Sequence, residues 1–180
     1  TRTAGIGFDT AITVADGVAD GDAGLVLGAA LADVLLLTAG DDVLVLERHR
    51  AGVSVEIPEN LDPSRRCGRV RLTGVAVTDD DILVGGRDTA LALARTLIAA
   101  EAVGGASDCV TAAVDYAKVR EQFGRTIATF QAIKHHCANM LVAAESAIAV
   151  VWDAARAAAD SGPEFVLMAA AAAAEALPAY

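Results

Sequence analysis

The densest run of side chains able to do chemistry is Tyr116–His136, YAKVREQFGRTIATFQAIKHH, which holds Arg120, Gln122, Phe123 and Gln131. A guanidinium is a planar fork of donors that meets two oxygens of a carboxylate or phosphate at once, a geometry that Lys cannot match. Gln amides add neutral donors and acceptors, and an aromatic ring offers a flat apolar face. Two roles are open to Arg120: a grip on an anion, or complementation of the dipole of a helix ending there, worth about 0.3–1 kcal/mol. Gln131 divides between a ligand contact and a first-turn polar residue, and Phe123 between a ligand contact and a core ring. Gly124 reads as the left-handed glycine that commonly stops a helix.

Other groups invite chemistry and read more simply as structure. His135 and His136, with Cys137 beside them, are neighbours on a helix and point about 100° apart, so they cannot easily share one metal ion. Trp152 reads as a core anchor. The pair Gly104-Gly105 would cost a helix about 1 kcal/mol each relative to Ala, and a close helix crossing is sufficient reason for it.

The elements that position these groups fall into two halves meeting near Gly85-Gly86. Upstream, Val34–Leu37, Val43–Glu47, Val53–Ile57 and Val70–Val77 read as strands, with turns at Gly40-Asp41 and Ala51-Gly52 and with Pro58 and Pro63 punctuating the loop before the last. The pairs Asp16-Gly17 and Asp20-Gly21, with Asp22, fit turns. Downstream the pattern turns helical. Asp88 or Thr89 caps a long helix to about Arg120. A second starts near Thr129, its apolar residues Phe130, Ile133, Cys137, Leu141, Ala144, Ile148, Val151 and Ala155 forming one buried stripe. Ser161-Gly162-Pro163 breaks it, with Pro163 opening a third, Ala-rich helix. The helices around Val103–Val114 and Phe130–Ala155 are expected to pack antiparallel about a Gly124-centred loop. Both chain ends read as interior to a longer gene product.

Across the 180 residues, 54 % hydrophobic and 21 % charged content places the chain among folded proteins. A net charge of −10 and only 4 % aromatic residues argue against nucleic acid, which needs a positive surface and stacking platforms. The stretch Leu25–Ala39, broken by Asp33, is too short to cross a bilayer as a helix, and no membrane insertion or secretion signal is expected. Three widely spaced cysteines without a CxxC pair read as reduced thiols in a cytoplasmic protein.

The Tyr116–Gln131 stretch resembles the acyl-CoA dehydrogenase family, whose helical domain carries an Arg-x-x-Phe-Gly turn followed by a Gln on the next helix. Arg120, Gln122, Phe123, Gly124, Phe130 and Gln131 stand at the matching places. The likeness continues upstream through AEAVGGASDCVTAAVDYAK and back into LDPSRR and the following strand, about two thirds of the chain. It implies an α+β fold: the C-terminal part of an antiparallel β domain over residues 1–86, then a partial antiparallel helical bundle over 87–180. It also implies FAD as cofactor, with Arg120, Gln122, Phe123 and Gln131 contacting the FAD of a neighbouring subunit in a homotetramer or heterotetramer.

The implied reaction is α,β-desaturation of an acyl-CoA thioester, in the degradation of fatty acids or a steroid side chain. A carboxylate removes the α-proton in this family. The usual Glu lies in a later helical region, and an alternative Glu sits just before an Arg that matches Arg95, a substrate-binding candidate. Here that place is Ala94, so no catalytic residue is assigned. Glu101 lies on roughly the same face but about 10 Å further along at 1.5 Å per residue, too far for the same proton. Three other readings stay open: a non-catalytic subunit completing a partner's FAD site, an acyl-CoA oxidase-like flavoprotein, and a helical scaffold without flavin.

Overall fold

A computed structural model describes residues 2–160 and 162–179. The chain divides into two units, one ending at Ala90 and one beginning at Leu91. The first contains eight strands: β1 (Ala4–Gly7), β2 (Ala11–Ala15), β3 (Val18–Val26), β4 (Val34–Ala39), β5 (Asp42–Glu47), β6 (Val53–Glu56), β7 (Gly68–Ala76) and β8 (Ile82–Leu83). They form two four-stranded sheets, ordered β1-β4-β5-β8 and β2-β3-β7-β6. Every pairing is antiparallel except β1 with β4, which is parallel.

The period of two that marks a half-buried strand explains how the sheets close on each other. Leu35 and Leu37 of β4, Leu44 and Leu46 of β5, and Val70, Leu72 and Val75 of β7 are all buried, and they join Ile12, Ala19 and Val26 in one core. Between Leu72 and Val75 the inward positions shift from even to odd numbers, because β7 carries an extra residue opposite β3 and Gly74 adopts φ 62°. The Asp20 carboxylate accepts the Gly74 N–H at 2.7 Å, and Asp22 accepts that of Gly24 at 2.7 Å, each beside a register shift. Asp20-Gly21 and Asp22 therefore serve irregularities inside β3, contrary to the turn expected there. Asp16-Gly17 does make a turn: it joins β2 to β3 as a two-residue hairpin with φ 50° and 75°, the positive values of a type I′ turn.

A polar lock sits at the sheet margin. Arg50 donates to the Asp81 carboxylate at 2.7 Å and to the Ala76 carbonyl at 3.2 Å. Asp81 also accepts from the Thr78 N–H and hydroxyl. The Arg50 guanidinium, followed by the Thr78 N–H, holds the Asp81 carboxyl far below the usual carboxylate range.

The second unit is helical. Helix α1 spans Arg87–Val119, α2 Gln131–Asp160 and α3 Glu164–Ala179, with the two-residue strands β9 (Glu121–Gln122) and β10 (Arg125–Thr126) between α1 and α2. Asp88 lies inside the first turn of α1, and the Gly86 carbonyl accepts the Ala90 N–H at 3.0 Å. Asp88 is thus placed to complement the helix dipole, while the expected cap at Asp88 or Thr89 does not form. Ala99, Ala102 and Val103 of α1 pack with Ala147, Val151 and Ala154 of α2 and with Ala172 and Ala176 of α3. Small side chains let the α2 and α3 backbones approach closely. At the other end of α1, Val110, Val114 and Lys118 share an apolar cleft of about 340 Å³ with Cys137, Ala138 and Leu141. Rising numbers on α1 meet falling numbers on α2, so these helices run antiparallel as the periodicity predicts.

Two expectations fail in this unit, and a third finds no support at one of its two residues. Of the expected α2 stripe Ala144 and Val151 are buried, whereas Leu141 is 51 % exposed and Ala155 is exposed, and Ala147 and Ala154 turn inward beside it. Trp152 is 62 % exposed and anchors no core. A Cβ at Gly104 would meet nothing within 4 Å among the described residues, so close packing does not explain that glycine, while Gly105 beside it is half-buried. By length and composition alone α1 and α2 could each span a bilayer, a property they share with core helices of bundles. Glu101, Asp108 and Asp115 recur every seven residues along α1, a charged stripe ill suited to lipid.

Candidate functional site

Helix α1 stops at Val119, and the chain then makes a tight hairpin rather than a glycine-capped helix end. Glu121 pairs with Thr126 and Gln122 with Arg125, leaving Phe123 and Gly124 as the two turn residues, at φ 54° and 74°. This repeats the geometry of Asp16-Gly17. Asp is at home there, because its short polar side chain tolerates the left-handed region; a bulky aromatic is not, and such a placement costs about 1–2 kcal/mol. Gly124 is therefore a hairpin residue and not the helix stop expected.

The strain is unrelieved by burial, since Phe123 is 91 % exposed. Its ring stands edge-on to Phe130, with centroids 6.1 Å apart and planes at 88°. The guanidinium carbon of Arg125 lies 4.3 Å from the centroid of the same Phe130 ring, a cation–π contact. Phe130 is half-buried at the end of a 3₁₀ turn, Ile127–Thr129, that leads into α2. This turn places the start of α2 at Gln131, two residues later than expected. The Phe123 ring is thus presented to solvent, with Phe130 as its one aromatic contact among the described residues.

Arg120 is fixed through its backbone on both sides. Its N–H donates to the Tyr116 carbonyl at 2.9 Å, and its own carbonyl accepts the Ile127 N–H at 2.8 Å. Its side chain is exposed and makes no ion pair among the described residues. Lys118, by contrast, is paired with Asp115 at 3.0 Å. Gln122 is exposed, its amide donating to the Glu121 carbonyl at 2.9 Å. Gln131 is exposed in the first turn of α2, with its amide nitrogen 3.2 Å from His135 Nε2 one turn on. An exposed fork, two accessible amides and an unsheltered ring thus lie on the one joint between α1 and α2. Such a set can grip an anion and lie against a flat apolar group.

Arg95 is not part of this joint. It is half-buried near the start of the same continuous helix, about 37 Å from Arg120 along the axis at 1.5 Å per residue. Ala94, also half-buried, offers no proton acceptor, and Glu101 is exposed on α1. Arg125 is exposed, and its contact with the Phe130 ring gives it a structural role at this joint. No signal in the sequence points to this contact, because residues 125 and 130 meet only once the chain reverses at Phe123-Gly124.

Comparisons with known proteins identify the family and the fold. The family model described as acyl-CoA dehydrogenase, C-terminal domain, matches residues 87–177. Acyl-CoA dehydrogenase FadE34 of Mycobacterium tuberculosis is 43 % identical over 175 residues, 96 % of this chain and 24 % of the relative. Acyl-CoA dehydrogenase IpdE2 of the same organism is 42 % identical over 97 residues, 54 % of this chain and 29 % of its own length. Butyryl-CoA dehydrogenase from Megasphaera elsdenii shares the fold at a TM-score of 0.84 and 23 % identity, over 99 % of this chain and 55 % of that one. The chain thus spans about a quarter of the length of these two curated relatives.

Proposed function

The chain belongs to the acyl-CoA dehydrogenase family, and on that premise we propose that it is part of an FAD-dependent subunit that desaturates an acyl-CoA thioester between the α and β carbons. In this reading the joint between α1 and α2 holds the phosphate-bearing end of FAD in an oligomer. The single observation that carries it is Phe123, an aromatic kept fully outward in a turn conformation that Asp, Asn or Gly would occupy at less cost. Strain of this kind persists where a site needs it.

The residues present fit that part of the cofactor. The Arg120 fork suits two phosphate oxygens, the Gln122 and Gln131 amides suit neutral donors and acceptors beside them, and the Phe123 ring suits a flat heteroaromatic group. When bound, FAD accepts the hydride that leaves the β carbon. This chain's residues bind and orient; Ala94 carries no base, so α-proton removal is assigned to none of them. Arg95, at the far end of α1, belongs in this reading to the thioester side, remote from the joint of its own subunit.

The vacancy at Ala94 favours a second reading, a subunit that completes a partner's FAD site without turning over substrate itself. Flavin absorbance of the purified natural protein, with and without a co-expressed partner, tests both. Arg120→Ala should weaken FAD retention by about ten- to a hundred-fold, the worth of one charge-assisted hydrogen bond, and Arg120→Lys should recover part of it. Equal flavin content in wild type and Arg120→Ala at limiting FAD would sink the role. Acyl-CoA-dependent reduction of an electron acceptor then separates the catalytic subunit from its silent counterpart.

A further inference from the structure

We propose that Arg125 is a positioning residue of this FAD site, acting on the cofactor through Phe130 and Phe123 rather than by touching phosphate. The inference rests on the reading of the joint given above. Its observations are geometric. Arg125 lays its guanidinium over one face of Phe130 at 4.3 Å, and the Phe130 ring meets Phe123 edge-on. A cation over the face of a ring and a second ring standing across it are both arrangements favoured by the ring quadrupole.

The chain of contacts starts and ends on the same hairpin. Arg125 opens β10 opposite Gln122, and Phe123 occupies the turn just before it. Phe130 is the outside strut, held by the 3₁₀ turn and by its carbonyl accepting the Lys134 N–H at 3.1 Å. Closing the loop fixes the side-chain angle of an otherwise unsheltered Phe123. An aromatic that is already ordered loses less freedom when a ligand lies against it. Arg125 therefore contributes to affinity by ordering a ring, and its charge is engaged by that ring.

This assignment separates cleanly from a direct phosphate contact. Arg stacks flat on an aromatic face whereas Lys keeps only the point-charge attraction to it, so what separates the two roles is Phe130: a positioning role disappears once that ring is removed, while a phosphate contact survives its removal and is screened by salt. FAD affinity is measured on the assembled natural protein, stripped of flavin and retitrated, by quenching of flavin fluorescence. Each variant's thermal unfolding midpoint is recorded alongside.

Arg125→Gln should weaken FAD by about three- to ten-fold, the size of an exposed cation–π contact with its ordering effect, and Arg125→Lys by less, with unfolding midpoints near that of wild type. In a Phe130→Leu background, Arg125→Gln should cost little more, because the strut is already gone. Additive losses in the Phe130→Leu background, or a strong salt dependence of FAD affinity that Arg125→Gln removes, overturn the proposal and make Arg125 a phosphate ligand. Unchanged affinity in both Arg125 variants, with a wild type that retains FAD, defeats this inference alone. A wild type that takes up no FAD defeats the reading of the joint as well.

Discussion

At the scale of single residues, the chain contains its own control for Phe123. Two hairpins share nearly the same backbone angles, one turning on Asp16-Gly17 and the other on Phe123-Gly124. If Phe123 is kept for contact rather than for folding, Phe123→Asn should stabilise the helical unit by about 0.5–1 kcal/mol, since Asn tolerates the left-handed region. The same variant should retain less FAD. Paired measurement of urea unfolding and bound flavin checks this; a variant both less stable and fully flavinated would show the ring to be structural. Arg120, Gln122, Phe123 and Gln131 stand out by their likeness to the family's Arg-x-x-Phe-Gly turn and following Gln; type and spacing alone leave Arg120 open between an anion grip and a helix-dipole partner. The Arg125–Phe130 contact was not readable, because it needs a chain reversal that places residues 123, 125 and 130 together. Nor was the strain at Phe123, which becomes visible only once both turn residues have positive φ.

At the scale of elements, the β unit depends on a lock whose strength follows pH. Asp81 is held ionised by Arg50 and Thr78, so its folded pKa lies below the unfolded value of about 3.9. A depressed carboxyl contributes stability that is fully present above the unfolded pKa and is lost as pH falls through the folded one. Resistance of the β unit to urea should therefore decline below about pH 4, and Asp81→Asn should flatten part of that decline while costing about 1.5–3 kcal/mol at neutral pH. Glycine positions give a second test with opposite signs. A Cβ at Gly21 would stand 2.1 Å from the Ala11 carbonyl oxygen, at φ 139°, so Gly21→Ala should destabilise the unit by about 2 kcal/mol or more. Gly104 lies in a helix with open space around its Cα, and Gly104→Ala should stabilise the chain by about 0.5–1 kcal/mol. Thermal melts of both variants decide it. Strands and helices were legible because periods of 2 and 3.6 differ sharply. The β3 irregularities were not, since Asp-Gly reads equally as a turn between strands or as a bend within one.

At the scale of the whole molecule, the α2 stripe shows where sequence reading stops: periodicity identifies an apolar face, but not whether anything covers it. Leu93 and Leu97 on α1, Leu141, Val142 and Trp152 on α2, and Leu167 on α3 are all exposed. Scattered apolar residues on a surface are ordinary, whereas several on the faces of adjacent helices favour association. The chain expressed by itself should bind a hydrophobic dye and sediment as concentration-dependent species. A dye-silent, strictly monomeric chain would show these side chains to be too dispersed to matter. If they do associate, the first cellular effect of leaving them bare would be on lifetime rather than on chemistry. Chaperones and proteases sort chains by the apolar surface they display, so unpaired copies would be held or degraded. Abundance would then follow the supply of whatever sits on those helices.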